Sequence, residues 1–384
     1  MTTTQNPFRA SLGTSPPLLV GRDEVIDDFR LGLEEGPGAH ERISLLVGAR
    51  GIGKTALLNE LEDTAIDTGW LTFSETATEG FVDKLRDQLT EFLESDAPTR
   101  TSFQVGPSAL RLKHEFERPA QRPRSLRTLL TEVLDTLANH SRFNRSASGV
   151  LITVDELHFV HHDEIVEFAT AIQHLVRENR EIAVVMAGIP SSVRPLLASD
   201  EGRNPITFLR RANRVDLGRL RGTEVREGLT VPVQQAGRSW DEGALVSAVQ
   251  ATGGYPFMIQ LIGNFAWRFE SSDTIQLEAT EKAITRARKK LGQLVHEPAL
   301  NDLSAEDRRF LAAMSLDDGA SKISDVASRL EVSEQQAYNY RRRLSEADLI
   351  TYDRGTADFA LPYLREYLRT HVVADILRLP EFDA

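Results

Sequence analysis

No cysteine occurs among the 384 residues, so neither a disulfide nor a thiolate metal site can form. That absence is compatible with a reducing compartment. Long apolar runs are missing as well: no stretch reaches the roughly 18 residues that a membrane span requires. Met1–Ser15 is polar and lacks the hydrophobic centre of a signal peptide. The expectation is a cytoplasmic chain with no membrane partner. Positive charge is in deficit, with 45 Lys and Arg against 57 Asp and Glu, and the formal charge of −12 repels polyanions at long range. Any contact with nucleic acid must therefore come from a local basic surface. Neither an internal repeat nor a low-complexity tract is present. What the chain does have is 41% hydrophobic residues over a length sufficient for two or three domains, enough to bury more than one core.

Residues 48–55 read Gly48-Ala49-Arg50-Gly51-Ile52-Gly53-Lys54-Thr55, a full match to the pattern G-x-x-x-x-G-K-[ST]. They follow the apolar run Ile43-Ser44-Leu45-Leu46-Val47 and precede the helical Ala56-Leu57-Leu58-Asn59-Glu60-Leu61, so the loop joins a buried strand to a helix. Three glycines let the backbone wrap until its N–H groups face phosphate oxygens, and the helix start adds the positive end of its dipole. Lys54 is expected to neutralise the β- and γ-phosphates and the Thr55 hydroxyl to ligate Mg²⁺. Gly48 to Ala56 are thus the candidate nucleotide contacts.

Along the chain, residues 1–17 read as a flexible lead and Asp23 to about Leu33 as a helix. Strands are expected at 43–47, 70–74, 150–154 and 182–187, with a short one at 215–217. Helices fill the intervals at 80–94, 125–138 and 164–178, where apolar residues recur every three or four positions. Nearly all-apolar strands alternating with helices predict a three-layer α/β unit with a parallel sheet, over 18–221. Within it, residues 100–127 carry seven arginines and lysines against two glutamates, with strand-like alternation around Gly106-Pro107. This reads either as a solvated insertion or as a basic finger touching DNA or a partner subunit. From Gly222 to about Arg288 the periodicity is helical throughout, as in a small helical lid over 222–298.

Asp155 and Glu156 end the apolar run Val150–Val154, which puts two carboxylates at the carboxyl edge of a central strand. With the phosphate loop upstream, Asp155 is expected to hold Mg²⁺ through water and Glu156 to polarise the attacking water. His158, His161 and His162 follow on a loop and helix start and are not read as a metal site, since no acidic partner matches them elsewhere.

Residues 299–384 have a different pattern. A short amphipathic helix at 322–330 is followed by the tight turn Glu331-Val332, then Ser333 as helix cap with Gln336 at the capping-box position. A helix over 334–346 comes next, and Leu349–Tyr352 and Ala357–Leu361 flank a turn at Arg354-Gly355-Thr356. The pattern predicts a winged helix-turn-helix in which Gln335, Asn339, Tyr340, Arg341, Arg342 and Arg343 supply groups suited to phosphates and base edges. Between Ser321 and Arg354 six basic residues meet six acidic ones, so docking of protein stays open beside DNA binding.

Val20-Gly21-Arg22-Asp23-Glu24, the phosphate loop, Val150–Glu156, Arg210 with Arg211, and Gly253-Gly254-Tyr255-Pro256-Phe257 occur in an order that resembles the AAA+/STAND ATPases. The resemblance spans roughly 18–370 and is nearest to the bacterial proteins similar to archaeal and eukaryotic origin-recognition ATPases. It implies ATP or ADP with Mg²⁺, and an adenine covered by Leu19, Val20, Gly21 and Arg22. It also implies a lid segment, Tyr255-Pro256, approaching the nucleotide where many members carry an arginine sensor. Arg210 or Arg211 would reach the γ-phosphate of a neighbouring subunit in a homo-oligomer. Ala187-Gly188-Ile189-Pro190 offers no Asn or Thr at the first-sensor position, so hydrolysis is expected to be slow. The output is then double-stranded DNA held by the winged helix, or a separate effector protein docked there.

Overall fold

The computed structural model describes residues 5–11, 13–94, 124–139, 148–157, 162–190, 193 and 209–373. The basic stretch expected as a hairpin lies outside these residues up to position 123, as do His158 and His161. The described chain divides into two compact units, one of residues 22–47 and 54–216, the other of residues 1–21, 48–53 and 217–384.

In the first unit strands and helices alternate: α1 (Asp23–Glu35), β1 (Ile43–Val47), α2 (Lys54–Asp67), β2 (Leu71–Thr76), α3 (Phe81–Glu94), α4 (Leu126–Asn139), β3 (Val150–Asp155), α5 (His162–Arg177), β4 (Ile182–Gly188) and β5 (Asn213–Asp216). The five strands form one parallel sheet in the order β2-β3-β4-β1-β5. Every residue of β1 and β4 is buried, which is why these segments read as nearly continuous apolar runs rather than alternating ones. The edge strand β5 alternates between exposed and half-buried positions. Helix α3 turns Phe81, Val82, Leu85 and Leu89 inward, and the Phe81 ring lies 5.7 Å from that of Phe168 on α5. Parallel pairing sends every connection back across the sheet, so the carboxyl ends of β1 and β3 and the amino ends of β4 and β5 lie at opposite edges.

The second unit is mostly helical: α6 (Gly222–Gln235), α7 (Glu242–Thr252), α8 (Pro256–Phe269), α9 (Leu277–Leu291), a π-turn at Gly292–His296, α10 (Glu297–Asn301) and α11 (Ala305–Ser315). Asp241 caps α7 by accepting from the Ala244 N–H at 3.1 Å, left-handed Gly253 ends it, and Pro256 opens α8. The expectation of helix alone over 222–298 needs correction. Strands β6 (Ser239–Trp240) and β7 (Thr274–Ile275) pair as a short parallel ladder. Two residues meeting two others 35 positions away leave no local period to read.

Residues 305–373 continue with β8 (Ser321–Lys322), α12 (Ile323–Leu330), α13 (Glu334–Glu346), β9 (Ile350–Asp353), β10 (Thr356–Phe359) and α14 (Leu364–His371). Glu331 takes a left-handed conformation between α12 and α13, and Ser333 with Gln336 forms a reciprocal cap. Strands β9 and β10 are antiparallel, joined by Arg354 and Gly355, both at positive φ as a two-residue hairpin requires, and β8 pairs with the other side of β10. This part clusters with the 222–298 helices because named contacts tie them. The His296 Nε2–H donates to the Pro362 carbonyl at 2.9 Å, the Tyr363 hydroxyl to the Ala251 carbonyl, and Arg219 to the Ala360 carbonyl at 2.9 Å. Burial pushes the His296 ring down to about 4, so it stays neutral and holds this bond at physiological pH.

Residues Asn6–Arg9, expected to be flexible, are docked on α8. Phe8 is buried against the bare Cα of Gly263, where a Cβ would come within 2.4 Å of its ring. The Asn264 side chain donates to the Phe8 carbonyl at 3.1 Å, and the Arg9 N–H donates to Gln260 at 3.0 Å. Nothing in the polar local sequence marks this docking, because its partners lie more than 250 residues away.

Candidate nucleotide site

Strand β1 delivers the chain into the glycine loop, and α2 begins at Lys54. Gly48 must be glycine: a Cβ there would sit 2.7 Å from the Ile52 side chain and 3.0 Å from the Leu217 carbonyl. Gly51 (φ +74°) and Gly53 (φ +96°) occupy the left-handed region, which turns successive amides of the loop toward one side. Gly51 also lies directly beneath Tyr255, whose hydroxyl donates to the Arg50 carbonyl. The Arg50 guanidinium is 3.6 Å from Asp302, an exposed pair of small energetic weight. Tyr255 is 2% exposed. Burial pushes its phenol well above the ordinary value, against the charge of Arg219, so it is a proton donor throughout the physiological range.

In the α/β unit the Thr55 hydroxyl donates to Asp155 Oδ2 at 2.6 Å, joining the first turn of α2 to the end of β3. Asp155 Oδ1 accepts from the Glu156 N–H at 2.7 Å. Glu156 is exposed and adopts φ +58°, a conformation that costs a residue bearing a side chain on the order of 1–3 kcal/mol. It therefore stands off the strand end rather than continuing it. A hydroxyl and a carboxylate oxygen this close are hard oxygen donors of the type Mg²⁺ takes together with substrate phosphates, so these two residues fit the ion. Among the described residues no group of three or more His, Asp or Glu could hold a metal by itself.

Behind Asp155 lies a polar seam that the sequence reading missed. Glu62, seven residues beyond Thr55 on the same side of α2, accepts from the hydroxyls of Ser74 on β2 and Thr153 on β3. Burial raises the Glu62 carboxyl above its ordinary range, the two hydroxyls oppose this, and the charges of Asp63 and Asp155 add to it. The spacing 55 to 62 was a usable signal, since two helical turns return a side chain to the same face.

The remaining candidates fall as follows. Leu19 is half-buried; Val20 is buried, its methyl 3.3 Å from where a Cβ on Gly228 would sit; Gly21 (φ +65°) leaves no room for a side chain beside Glu224 and Leu220. Arg22 and Ala56 are half-buried. Tyr255 precedes α8 and Pro256 is its first residue. Arg210 and Arg211 are exposed and immediately precede β5, with the Arg211 carbonyl 3.0 Å from His40 Nε2. Since β5 runs parallel to β1 with Ser44 opposite Asn213 and Val47 opposite Asp216, both arginines stand at the amino edge.

On α13, Gln335 and Arg342 are exposed and Asn339 is half-buried. Arg341 is stacked between Tyr338 and Tyr352, its guanidinium carbon 4.4 and 3.9 Å from the two ring centres. Arg343 pairs with Asp307 at 2.6 Å and lies over Tyr340, whose ring also meets that of Phe310.

Comparison with known proteins bears on this geometry. Residues 18–185 match the model of the AAA ATPase domain. The matched residues include the glycine loop and both acidic positions. Residues 293–368 match a domain of unknown function. The chain is similar to the Walker-type ATPase PABY2304 of Pyrococcus abyssi at TM-score 0.67 and 18% identity, over 91% of this chain and 96% of that one, which shows a shared fold. Weaker similarity is found to Cdc6p from Pyrobaculum aerophilum (TM-score 0.48, 15% identity, 96% of this chain and 97% of that one). The ORC2 protein of Aeropyrum pernix is similar at TM-score 0.46 and 15% identity, over 96% and 98%. No curated protein matches the sequence. The α/β fold with its five-stranded parallel sheet matches a P-loop AAA+ core. Among the described residues no helix is long and apolar enough to cross a membrane.

Proposed function

We propose that this chain is an ATP-binding, slowly hydrolysing molecular switch of the AAA+/STAND type, whose nucleotide state controls a C-terminal winged helix (299–384) that binds DNA. The observation that carries the nucleotide part is the glycine loop leading into a helix whose Thr55 hydroxyl is hydrogen-bonded to Asp155. The loop amides from Gly48 to Gly53 receive phosphate oxygens, and Lys54 adds a full positive charge. Thr55 and Asp155 would hold Mg²⁺, which when bound neutralises charge developing on the phosphates. Glu156, exposed beside Asp155, orients and polarises the attacking water. Leu19, Val20, Gly21 and Arg22 cover the base. Slow turnover is supported by the end of β4, where buried Ala187 and Gly188 offer no polar side chain. The lid supports it too, since Tyr255 faces the loop where a cation would face phosphate.

Arg210 and Arg211 stand at the amino edge of the sheet, whereas Asp155 ends a strand at the carboxyl edge. Their service to a phosphate therefore calls for a second copy of the chain, and a homo-oligomer through this edge follows from the reading.

For DNA, Gln335 and Arg342 on the exposed side of α13 are the available groups. A second reading, docking of a separate effector protein, is favoured by the engagement of Arg341 with two tyrosines and of Arg343 with Asp307. Binding of duplex DNA measured across a salt series with ATP, ADP and no nucleotide decides between them. DNA binding whose log affinity falls linearly with log salt, and which differs among the three states, is the expected result. Absence of binding at low salt in all three states leaves protein docking.

A further inference from the structure

A peptide unit is planar and trans, so its C=O and N–H point in opposite directions, and fixing one fixes the other. The unit that joins Arg50 to Gly51 lies in the middle of the phosphate loop. Its carbonyl accepts from the Tyr255 hydroxyl, and its N–H is the Gly51 amide, directed the other way. Gly51 has φ +74°, a region glycine enters freely, and glycine can equally leave it, so the loop sequence alone does not hold this orientation. The tyrosine does. Its ring is buried against the bare Gly51 Cα, where a Cβ would fall 2.1 Å from the hydroxyl oxygen.

The ring in turn is carried by rigid backbone. Tyr255 sits at the start of α8, and its N–H donates to the Thr252 carbonyl at 3.0 Å. The preceding Gly254 accepts at its carbonyl from the Leu220 N–H at 2.8 Å and is packed so closely on Leu220 that a Cβ would come within 2.5 Å of its carbonyl. The hydroxyl is thereby delivered to one point in space.

We propose that Tyr255 is a positioning residue for nucleotide binding: by holding the Arg50 carbonyl it keeps the Gly51 N–H turned into the phosphate cradle before ligand arrives. This rests on the reading of the loop as a nucleotide site and adds how the loop is held in its binding conformation. The lid then senses the loop through a neutral hydroxyl on its backbone, not through a charge on the phosphate.

The test is Tyr255→Phe, which deletes one oxygen and keeps the buried ring, compared with the parent and with Lys54→Ala by titration with fluorescent ADP and ATP. Loss of one hydrogen bond that pre-orders the loop is expected to weaken both nucleotides about 3- to 10-fold. Hydrogen exchange of the nucleotide-free chains supplies the readout that a merely structural role does not give. The peptide covering residues 48–55 is expected to exchange faster in Tyr255→Phe, with the peptides of α6 to α9 unchanged. Unaltered nucleotide affinity in Tyr255→Phe overturns the proposal, and so does faster exchange spread through the lid helices. If Lys54→Ala also binds as tightly as the parent, the loop reading itself fails, which the tyrosine result alone would not imply.

Discussion

The two edges of the parallel sheet are built for different work. At the carboxyl edge hydroxylic and acidic groups meet: Thr55 donates to Asp155, and Glu156 follows in a left-handed conformation. At the amino edge the polar groups are basic and, where buried, fully engaged. Arg42 is 3% exposed, donates to the carbonyls of Gly32 and Leu33, pairs with Glu181 at 2.6 Å and stacks on Trp70 at 4.8 Å. That edge locks α1 to the sheet, and Arg210 and Arg211 project from it. Strand polarity is the cause of the difference, since parallel strands place every βα loop, and hence the phosphate loop, at one edge only. The difference teaches that, on the proposed reading, one copy of the chain would offer a phosphate its acids from one edge while the exposed arginines stand at the other.

The comparison breaks most sharply at the arginines. Arg210→Ala with Arg211→Ala is expected to lower ATP turnover about 10³-fold, the scale of an arginine supplied in trans, while leaving ATP affinity unchanged. Mixing that variant with Lys54→Ala should restore part of the turnover, because each supplies the edge the other lacks. Mixtures as inactive as either variant alone would put both edges to use within one copy. Glu156→Gln comes next, with turnover falling about 10²-fold at preserved ATP binding. Equal turnover in a steady-state phosphate-release assay would remove Glu156 from its role.

A pH titration separates the edges more gently. Folding raises the Glu62 carboxyl above its reference of 4.5, so the folded chain keeps a proton that the unfolded chain gives up. The stability this contributes is complete below pH 4.5 and is lost as pH rises through the elevated folded value. Glu62→Gln should therefore be less sensitive than the parent to a rise from pH 5 to pH 8 in urea unfolding, and parallel curves would count against a proton at this seam. The smallest effect is expected on α13. Arg342→Ala should reduce the slope of log affinity for DNA against log salt by about one unit, and Arg343→Ala, tied to Asp307, should leave it unaltered.

Much of the α/β unit was readable in advance because its signals are local. Apolar runs at 43–47, 150–154 and 182–187 became β1, β3 and β4, and the Ser333–Gln336 cap formed where the spacing placed it. The last strand came two residues earlier than expected, at Asn213–Asp216, since an edge strand with polar alternation marks its ends weakly. Phe8 on Gly263, Ser239–Trp240 beside Thr274–Ile275, and the Glu62 seam were not foreseen, because each depends on partners distant in the chain. On α13 the reading gave residue types suited to phosphate but could not say which are occupied. Asp307 and Tyr352, which engage Arg343 and Arg341, lie on other elements.

By itself the sequence determined the glycine loop and its lysine, the strand that ends in two carboxylates, and the alternation of elements that makes the sheet parallel. These follow from backbone freedom at glycine, from burial of apolar runs and from spacing along one strand or helix. Only the tertiary structure decided that Thr55 meets Asp155, that Tyr255 grips the Arg50 carbonyl, and which arginines are already paired. A hydrogen bond or ion pair between residues 36 to 205 positions apart depends on where packing brings their elements, and no local period records it.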